Sequence, residues 1–155
     1  MDPETVSATR STTTGVYRAR VVQTSGGAVM HSINVAVRET TLFSPWASRA
    51  AGYEGFIEMH NNTRASVSVT LRAYGSAGDL LGSAVTFSIS AEATTFKTAG
   101  DLGVPLEMFA GIVLTLNGAS GAISANLTTL NGTTGLSFDS PFTPRDGALM
   151  GRPVR

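Results

Sequence analysis

The chain has 155 residues, of which 42% are hydrophobic, and this length is sufficient for one domain with a buried core. Eleven basic and eleven acidic residues give a formal net charge of zero, which predicts no binding to nucleic acid or to an anionic membrane. Cysteine is absent, so disulfides, thiol chemistry and cysteine-ligated zinc are excluded. The zero net charge also means little electrostatic repulsion between copies, which makes self-association easier than for a typical domain.

The first segment, 1–14, is polar and rich in Ser and Thr, and it has no hydrophobic periodicity. We therefore expect a flexible arm there. The segment also lacks the charged-then-apolar pattern of a signal peptide, so we expect that an exported protein has already lost its signal. No stretch approaches the roughly 18 apolar residues of a membrane span, which predicts no membrane insertion.

Alternation of apolar and polar residues dominates the segment 15–142 and predicts a β domain. In Ser66–Ala73, for example, Val67, Val69 and Leu71 fall on one face of a strand. The same period of two recurs at 29–37, 85–89, 112–116 and 123–127, with turns rich in Gly and Asn between the segments. About eight to ten short strands predict an all-β fold, an antiparallel two-sheet sandwich of the Ig-like or jelly-roll-like type.

Two short sequences of the same kind close two of these segments. The first is Ser44-Pro45-Trp46, and the second is Ser140-Pro141-Phe142. Either the two segments converge on one hairpin solution, or they are equivalent edges of a single two-sheet module.

The last segment, 143–155, contains two prolines, two glycines and three arginines, and we expect a second flexible arm there. Arms on a β-sandwich are typical of subunits that exchange strands with a neighbour. The alternative is that both arms are linkers to other domains.

Two histidines are the main candidates for metal ligands. His60 follows Glu58 at a spacing that puts both side chains on one face of a strand, but no third ligand is predicted near them. His31 falls at an inward-facing strand position, where a core or interface histidine is typical. We therefore expect no metal and no cofactor.

The sequence also offers no arrangement typical of a hydrolase. Ser44 and Ser140 precede prolines in turns, and neither lies in a Gly-x-Ser-x-Gly elbow. Glu54 and Glu58 are explained as exposed positions that flank an apolar strand, rather than as the paired carboxylates of a glycosidase. We predict no catalytic residues and no enzyme activity.

Aromatic residues at the ends of the predicted strands are the candidate site. Either they form a stacking platform for sugar or an interface anchor, or they close the ends of the sandwich core. The set is Trp46, Tyr53, Phe56, Tyr74, Phe138 and Phe142. Three Asn-x-Ser/Thr sequons, at Asn61, Asn126 and Asn131, matter only if the source glycosylates exported proteins.

The segment from Gly52 to Arg145 resembles a β-sandwich module of secreted and surface bacterial proteins. The resemblance lies in Gly52–Glu58 with the following Asn61-Asn62-Thr63, in the strand Val67–Ala73 and in Leu127–Phe142. It implies an Ig-like sandwich, an exported location and an adhesive or structural role, and it identifies no ligand.

These observations together predict a non-catalytic extracellular structural or adhesion module. Its expected partner is protein, including further copies of itself in a filament or surface layer. The alternatives are a carbohydrate-binding module, with a glycan as partner, and a viral coat subunit. The absence of a strongly basic arm argues against a coat subunit that packages its genome directly.

Overall fold

A computed structural model describes residues 15–22, 29–37 and 40–144, the first two segments by their backbone alone. The chain divides into two compact units, 1–38 and 39–155. The predicted arm 1–14, residues 145–155 of the predicted arm 143–155 and the side chain of His31 lie outside the described residues. Thr143–Pro144, the start of the second arm, is described as a short strand.

In the first unit, β1 (Gly15–Val22) pairs with β2 (Val29–Val37) in an antiparallel two-stranded sheet. The register shifts between Val21 and Val22. The strand predicted at 29–37 from the alternation of apolar and polar residues is therefore confirmed, with the same bounds.

The second unit is a sandwich of two antiparallel sheets, which confirms the predicted fold class. One sheet has the order β10-β9-β4-β7 and the other the order β11-β3-β8-β5-β6. Its strands are β3 (Thr41–Ser48), β4 (Tyr53–Asn61), β5 (Val67–Tyr74), β6 (Leu80–Ile89), β7 (Thr94–Thr98), β8 (Phe109–Asn117), β9 (Ile123–Asn131), β10 (Ser137–Pro141) and β11 (Thr143–Pro144). A single turn of 3-10 helix, Gly100–Leu102, follows β7. Nothing helical in the described part of the chain is long or apolar enough to cross a membrane.

The core lies between the two sheets and is built from the alternating apolar residues. On β5 the residues at odd positions from Val67 to Ala73 are buried, while the even positions are half-buried. Ile112 and Leu114 lie beside them on the neighbouring strand β8 of the same sheet. In the opposite sheet, Ile57 of β4 and Leu127 of β9 are fully buried. Burial of each valine, leucine and isoleucine side chain in this set stabilises the sandwich by roughly 1.5–3 kcal/mol.

The segment Ser137–Pro144 passes from one sheet to the other. Its first part, β10, pairs with β9, whereas β11 pairs with Phe43 and Leu42 of β3 in the opposite sheet. Pro141 lies at the change of sheet, where its missing N–H costs no ladder hydrogen bond. Phe142 follows it and packs half-buried against the core. Strands that change sheets in this way form the corners of sandwiches.

A pair of serines joins the two sheets next to this crossover. Ser44 Oγ donates a hydrogen bond to the Ser140 carbonyl at 2.8 Å and lies 3.0 Å from Ser140 Oγ. Both residues are buried, so the bond is shielded from water. The two Ser-Pro-aromatic sequences therefore meet through their serines.

On the side of the sandwich away from β10 and β11, the edge strands are β6 and β7. The side chain of Lys97 extends from β7 to Phe87 of β6 there. In the register of β4 and β7, Lys97 lies opposite the buried Ile57, and its Nζ lies 5.4 Å from the centre of the Phe87 ring on β6. A charged side chain that points inward on an edge strand discourages pairing with another chain. The one lysine of the sequence therefore protects this pair of edges.

We predict that Ser44→Ala lowers the free energy of unfolding by about 1–3 kcal/mol, because it removes the donor of a buried hydrogen bond. Ser140→Ala is the matched control, since it leaves the Ser140 carbonyl in place to accept from Ser44, and it should cost less. Urea unfolding of both variants measures the difference. A Ser44→Ala protein as stable as wild type, or a larger loss for Ser140→Ala, would contradict the assigned role.

Candidate functional site

A cleft of about 490 Å³ opens beside the crossover, between β3 of one sheet and β10 of the other. It exists because Ser137–Pro141 lies in the opposite sheet, and the chain pairs with β3 only afterwards, at Phe43 and Leu42. The described residues that line the cleft are mainly aromatic or small. They are Trp46, Ser48, Ala50, Ala51, Tyr53, Phe109, Phe138, Asp139 and Ser140.

A β-bulge places Trp46 in the cleft. Ser44 pairs with Ile112 and Ala47 pairs with Ala110, so that Pro45 and Trp46 together face the single residue between those partners. Bulges bend a strand and redirect its side chains. Trp46 is consequently 43% exposed, although the neighbouring Ala47 is fully buried.

Phe109, the first residue of β8, forms the same wall as Trp46. The centres of the two rings lie 4.6 Å apart, and their planes are tilted by 37°. Phe109 is 46% exposed, so this pair presents an open apolar surface instead of filling the core. Aromatic pairs at this ring separation are stabilised beyond their buried area.

Tyr53 and Phe138 form the opposite wall. Their ring centres lie 6.1 Å apart with an interplanar angle of 52°. Phe138 lies opposite the fully buried Thr129, which itself lies opposite Gly55. A side chain at Gly55 would contact Ala47 and Ala99 at 3.4 Å, so the sheets approach closely below the cleft. The aromatic rings therefore lie above a narrow floor of small residues.

Arg49 holds the two loops at the rim of the cleft together. Its Nε lies 2.7 Å from Oε2 of Glu54, and its Nη1 donates to the Val104 carbonyl at 2.7 Å. The backbone N–H of Arg49 donates to the Met108 carbonyl, and its own carbonyl accepts from the N–H of Glu107. This network fixes the segment before β8, and therefore the position of Phe109.

The facing turns have unusual backbone geometry. Ala51 and Glu107 have φ values of 53° and 61°, in the left-handed region that residues other than glycine rarely adopt. A hydrogen bond from the Ala51 N–H to Glu107 Oε2, 3.1 Å long, links the two turns. Asn131 Nδ2 also donates to the Ala51 carbonyl at 2.9 Å. The rim is thus held by side chains from three separate segments.

The electrostatics of the cleft are simple. Asp139 is the one charged residue of the described lining, but its carboxylate accepts a hydrogen bond from Thr128 Oγ1 at 2.6 Å on the outer face of β9 and β10. Glu107 is exposed at the edge of the cleft. The positive charge of Arg49 is paired with Glu54. The cleft is therefore apolar, with the Glu107 carboxylate as the charged group at its edge, and this favours an apolar ligand.

The structure brings together three of the six predicted aromatic residues, Trp46, Tyr53 and Phe138. The other three lie elsewhere in the sandwich. Phe56 is 40% exposed, in phase with Glu58 on the outer face of β4, Tyr74 ends β5, and Phe142 packs against the core. Sequence reasoning missed Phe109, because the segment Asp101–Phe109 gave no strand pattern.

The remaining candidates have structural contacts. His60 Nδ1 lies 2.9 Å from Thr94 Oγ1 on the neighbouring strand, and no group of three potential metal-binding side chains occurs within the described ranges. Asn61 and Asn131 are buried and hydrogen-bonded to backbone carbonyls, so neither amide is available for glycosylation in the folded chain. Asn126 is half-buried.

The comparisons with known proteins concern the fold. No family model matches the sequence, and no curated protein matches it. A crystal structure of the protein Thermotoga maritima 1070 is similar, with a TM-score of 0.59 over 70% of this chain and 97% of that chain. The two sequences are 12% identical, so the likeness shows a shared fold alone.

We predict that Arg49→Met lowers the free energy of unfolding by about 1–2 kcal/mol, because Glu54 and the Val104 carbonyl each lose a charged hydrogen-bond donor. Amide hydrogen exchange should accelerate in the segment 104–109. Arg64→Met, at an exposed loop position, is the control and should match wild type. Unchanged exchange in 104–109 would show that Arg49 does not hold this loop.

Proposed function

We propose that the protein is a non-catalytic structural module that binds and assembles through the aromatic cleft. The observation that carries this proposal is the exposure of three large aromatic side chains, Trp46, Phe109 and Phe138, at one opening between the sheets. Aromatic residues in such numbers are typical of the centres of protein interfaces.

Further exposed apolar side chains lie in the segments that lead to Phe109 and Phe138. Leu106 and Met108, in the loop before Phe109, are 69% and 37% exposed, and Leu136 precedes β10 with 62% exposure. Large exposed apolar residues are typical of interaction sites where they form a continuous surface. A net charge of zero removes the long-range repulsion that would keep copies apart.

We further propose an extracellular or surface location and an Ig-like subtype for this sandwich. The support is the resemblance of Gly52–Arg145 to surface modules of bacteria, together with the low charge and the single lysine of the sequence. An adhesive or structural subunit would use the cleft as its contact with a protein partner, including another copy.

We predict that the solution mass of the full chain rises above the 16.0 kDa of the monomer as its concentration increases, measured by light scattering. Trp46→Ala should raise the dissociation constant at least tenfold, because buried tryptophans at interfaces contribute about 2 kcal/mol or more.

The matched control is Phe96→Ala, since Phe96 is 63% exposed on edge strand β7 and lies outside the cleft. It removes similar apolar surface and should leave association unchanged. A wild-type protein that stays at the monomer mass at millimolar concentration would argue strongly against assembly, and an equal effect of Phe96→Ala would argue against the cleft.

A carbohydrate-binding module is the second candidate, and the exposed rings of Trp46 and Phe109 favour it. Sugars stack on such rings. A glycan array probed with wild type and with Trp46→Ala distinguishes the two candidates. Binding that Trp46→Ala abolishes supports the sugar site, and a flat array removes it.

A further inference from the structure

We propose that the hairpin of β1 and β2 is a second association surface, and that its occupant is the same hairpin of a second copy of this chain. The hairpin lies in unit 1–38, whereas the residues of the cleft lie in unit 39–155. The inference therefore goes beyond the proposed function. It is carried by the register of the two strands, by the composition of the rest of their unit and by the area of one face.

The register of the hairpin places its apolar residues together. Odd-numbered residues of β1 lie opposite odd-numbered residues of β2, and successive residues of a strand alternate between faces, so these rows share one face. This apolar hairpin face consists of Gly15, Tyr17, Ala19, Val21, His31, Ile33, Val35 and Val37. None of these residues is an acid, a lysine or an arginine. The other face carries Arg18 and Arg20, which lie opposite polar residues of β2.

The apolar hairpin face needs a cover that the rest of its unit does not supply. A two-stranded sheet is at best marginally stable in water unless another layer packs on it. The remaining segments of the unit, 1–14 and 23–28, are polar, and their hydrophobic residues are Met1, Val6, Ala8 and Ala28. Four scattered residues, two of them alanine, bury too little area to form a second layer. The cover therefore comes from outside this unit.

A lipid bilayer is a poor cover for this hairpin. Within the described residues, β1 and β2 pair only with each other, so both outer edges of the sheet carry unpaired backbone N–H and C=O groups. Open sheet edges do not occur in the hydrocarbon region of a membrane, because nothing there satisfies these groups. A protein layer covers the face and leaves the edges in water.

An identical face complements this one. Small and large residues alternate along β1, since Gly15 and Ala19 alternate with Tyr17 and Val21. A two-fold axis that runs between the layers, perpendicular to the strands and through the middle of the face, places Tyr17 across from Ala19 of the partner subunit. Large residues then meet small ones, as in well-packed layers. Such a contact uses the same patch on both copies and leaves the arginine-bearing faces outside.

The area of the apolar hairpin face is sufficient for a dimer contact. Burial of Tyr17 and of the four valine and isoleucine residues removes roughly 400–700 Å² from water per copy, at about 25 cal/mol per Å². Specific protein interfaces begin at about 600 Å² per partner. The hairpin contact reaches the lower part of this range, so it adds to the contact at the cleft and does not replace it.

The first test changes the apolar hairpin face in the full chain. The double variant Ile33→Thr, Val35→Thr keeps β-branched residues, which favour strands, but removes apolar surface. It should raise the dissociation constant of self-association at least tenfold in light scattering. The matched control is Asn34→Thr, Ala36→Thr, which introduces the same residue twice on the other face of β2 and should associate like wild type. Undiminished association of the Ile33/Val35 variant, or equal weakening by the control, overturns the proposal.

The second test uses the absence of cysteine, because a single introduced thiol is then a unique reporter. Position 19 lies in the middle of the apolar hairpin face, and position 18 on the other face. A short bis-maleimide that spans the roughly 10 Å between packed sheets should link two Ala19→Cys copies, but not two Arg18→Cys copies. Equal cross-linking of both variants contradicts the proposal. So does an Ala19→Cys protein that stays monomeric and resists maleimide, since its hairpin face is then covered within its own chain.

The two association surfaces can be tested separately. Association that the Ile33/Val35 variant weakens but Trp46→Ala does not supports the hairpin contact and rejects the cleft as an interface. The reverse pattern leaves the cleft as the interface and rejects the hairpin contact. A wild type that stays monomeric at millimolar concentration rejects both.

Discussion

The passage of Ser137–Pro144 from one sheet to the other determines the architecture around the candidate site. A segment that stayed in one sheet would cover all of β3 or none of it. By changing sheets at Pro141 it pairs with Leu42 and Phe43, leaves Ser44–Ser48 without a described strand on that side, and places Phe138 on the opposite wall. The buried bond between Ser44 and Ser140 holds the two sheets at the point where they diverge.

The two long sides of the sandwich differ in a way that bears on assembly. On the β6 and β7 side, Lys97 points inward and protects the edges from pairing. On the β3 and β10 side the cleft holds exposed aromatic rings, and its described lining includes no basic residue. A molecule with one protected side and one open, apolar side is suited to directional association, in which each copy uses its open side once.

Much of the fold could be predicted from the sequence, because inward and outward residues alternate cleanly in strands such as Val67–Tyr74 and Phe109–Asn117. The alternation failed at β3, since the bulge at Pro45 and Trp46 places two consecutive residues outside the pattern. It also gave no signal for β7, which has only five residues, three of them threonine.

The candidate site was predictable in part. The choice of aromatic residues at strand ends correctly selected Trp46, Tyr53 and Phe138 for the cleft. The same choice included Phe56, which lies on the outer face of β4. Which aromatics meet depends on the bulge, on the crossover and on the loop that Arg49 holds. These are tertiary contacts between residues far apart in the sequence, as for Arg49 and Val104, and no local pattern encodes them.

The most direct test of the account uses Trp46, the single tryptophan of the sequence, as a reporter inside the cleft. Its emission maximum and its quenching by acrylamide should be measured on the same samples as the solution mass, over a wide range of protein concentrations. The account predicts that emission shifts to shorter wavelength and quenching falls in step with the increase in mass. A mass that rises while Trp46 remains equally accessible would show that assembly uses another surface and would contradict the central claim.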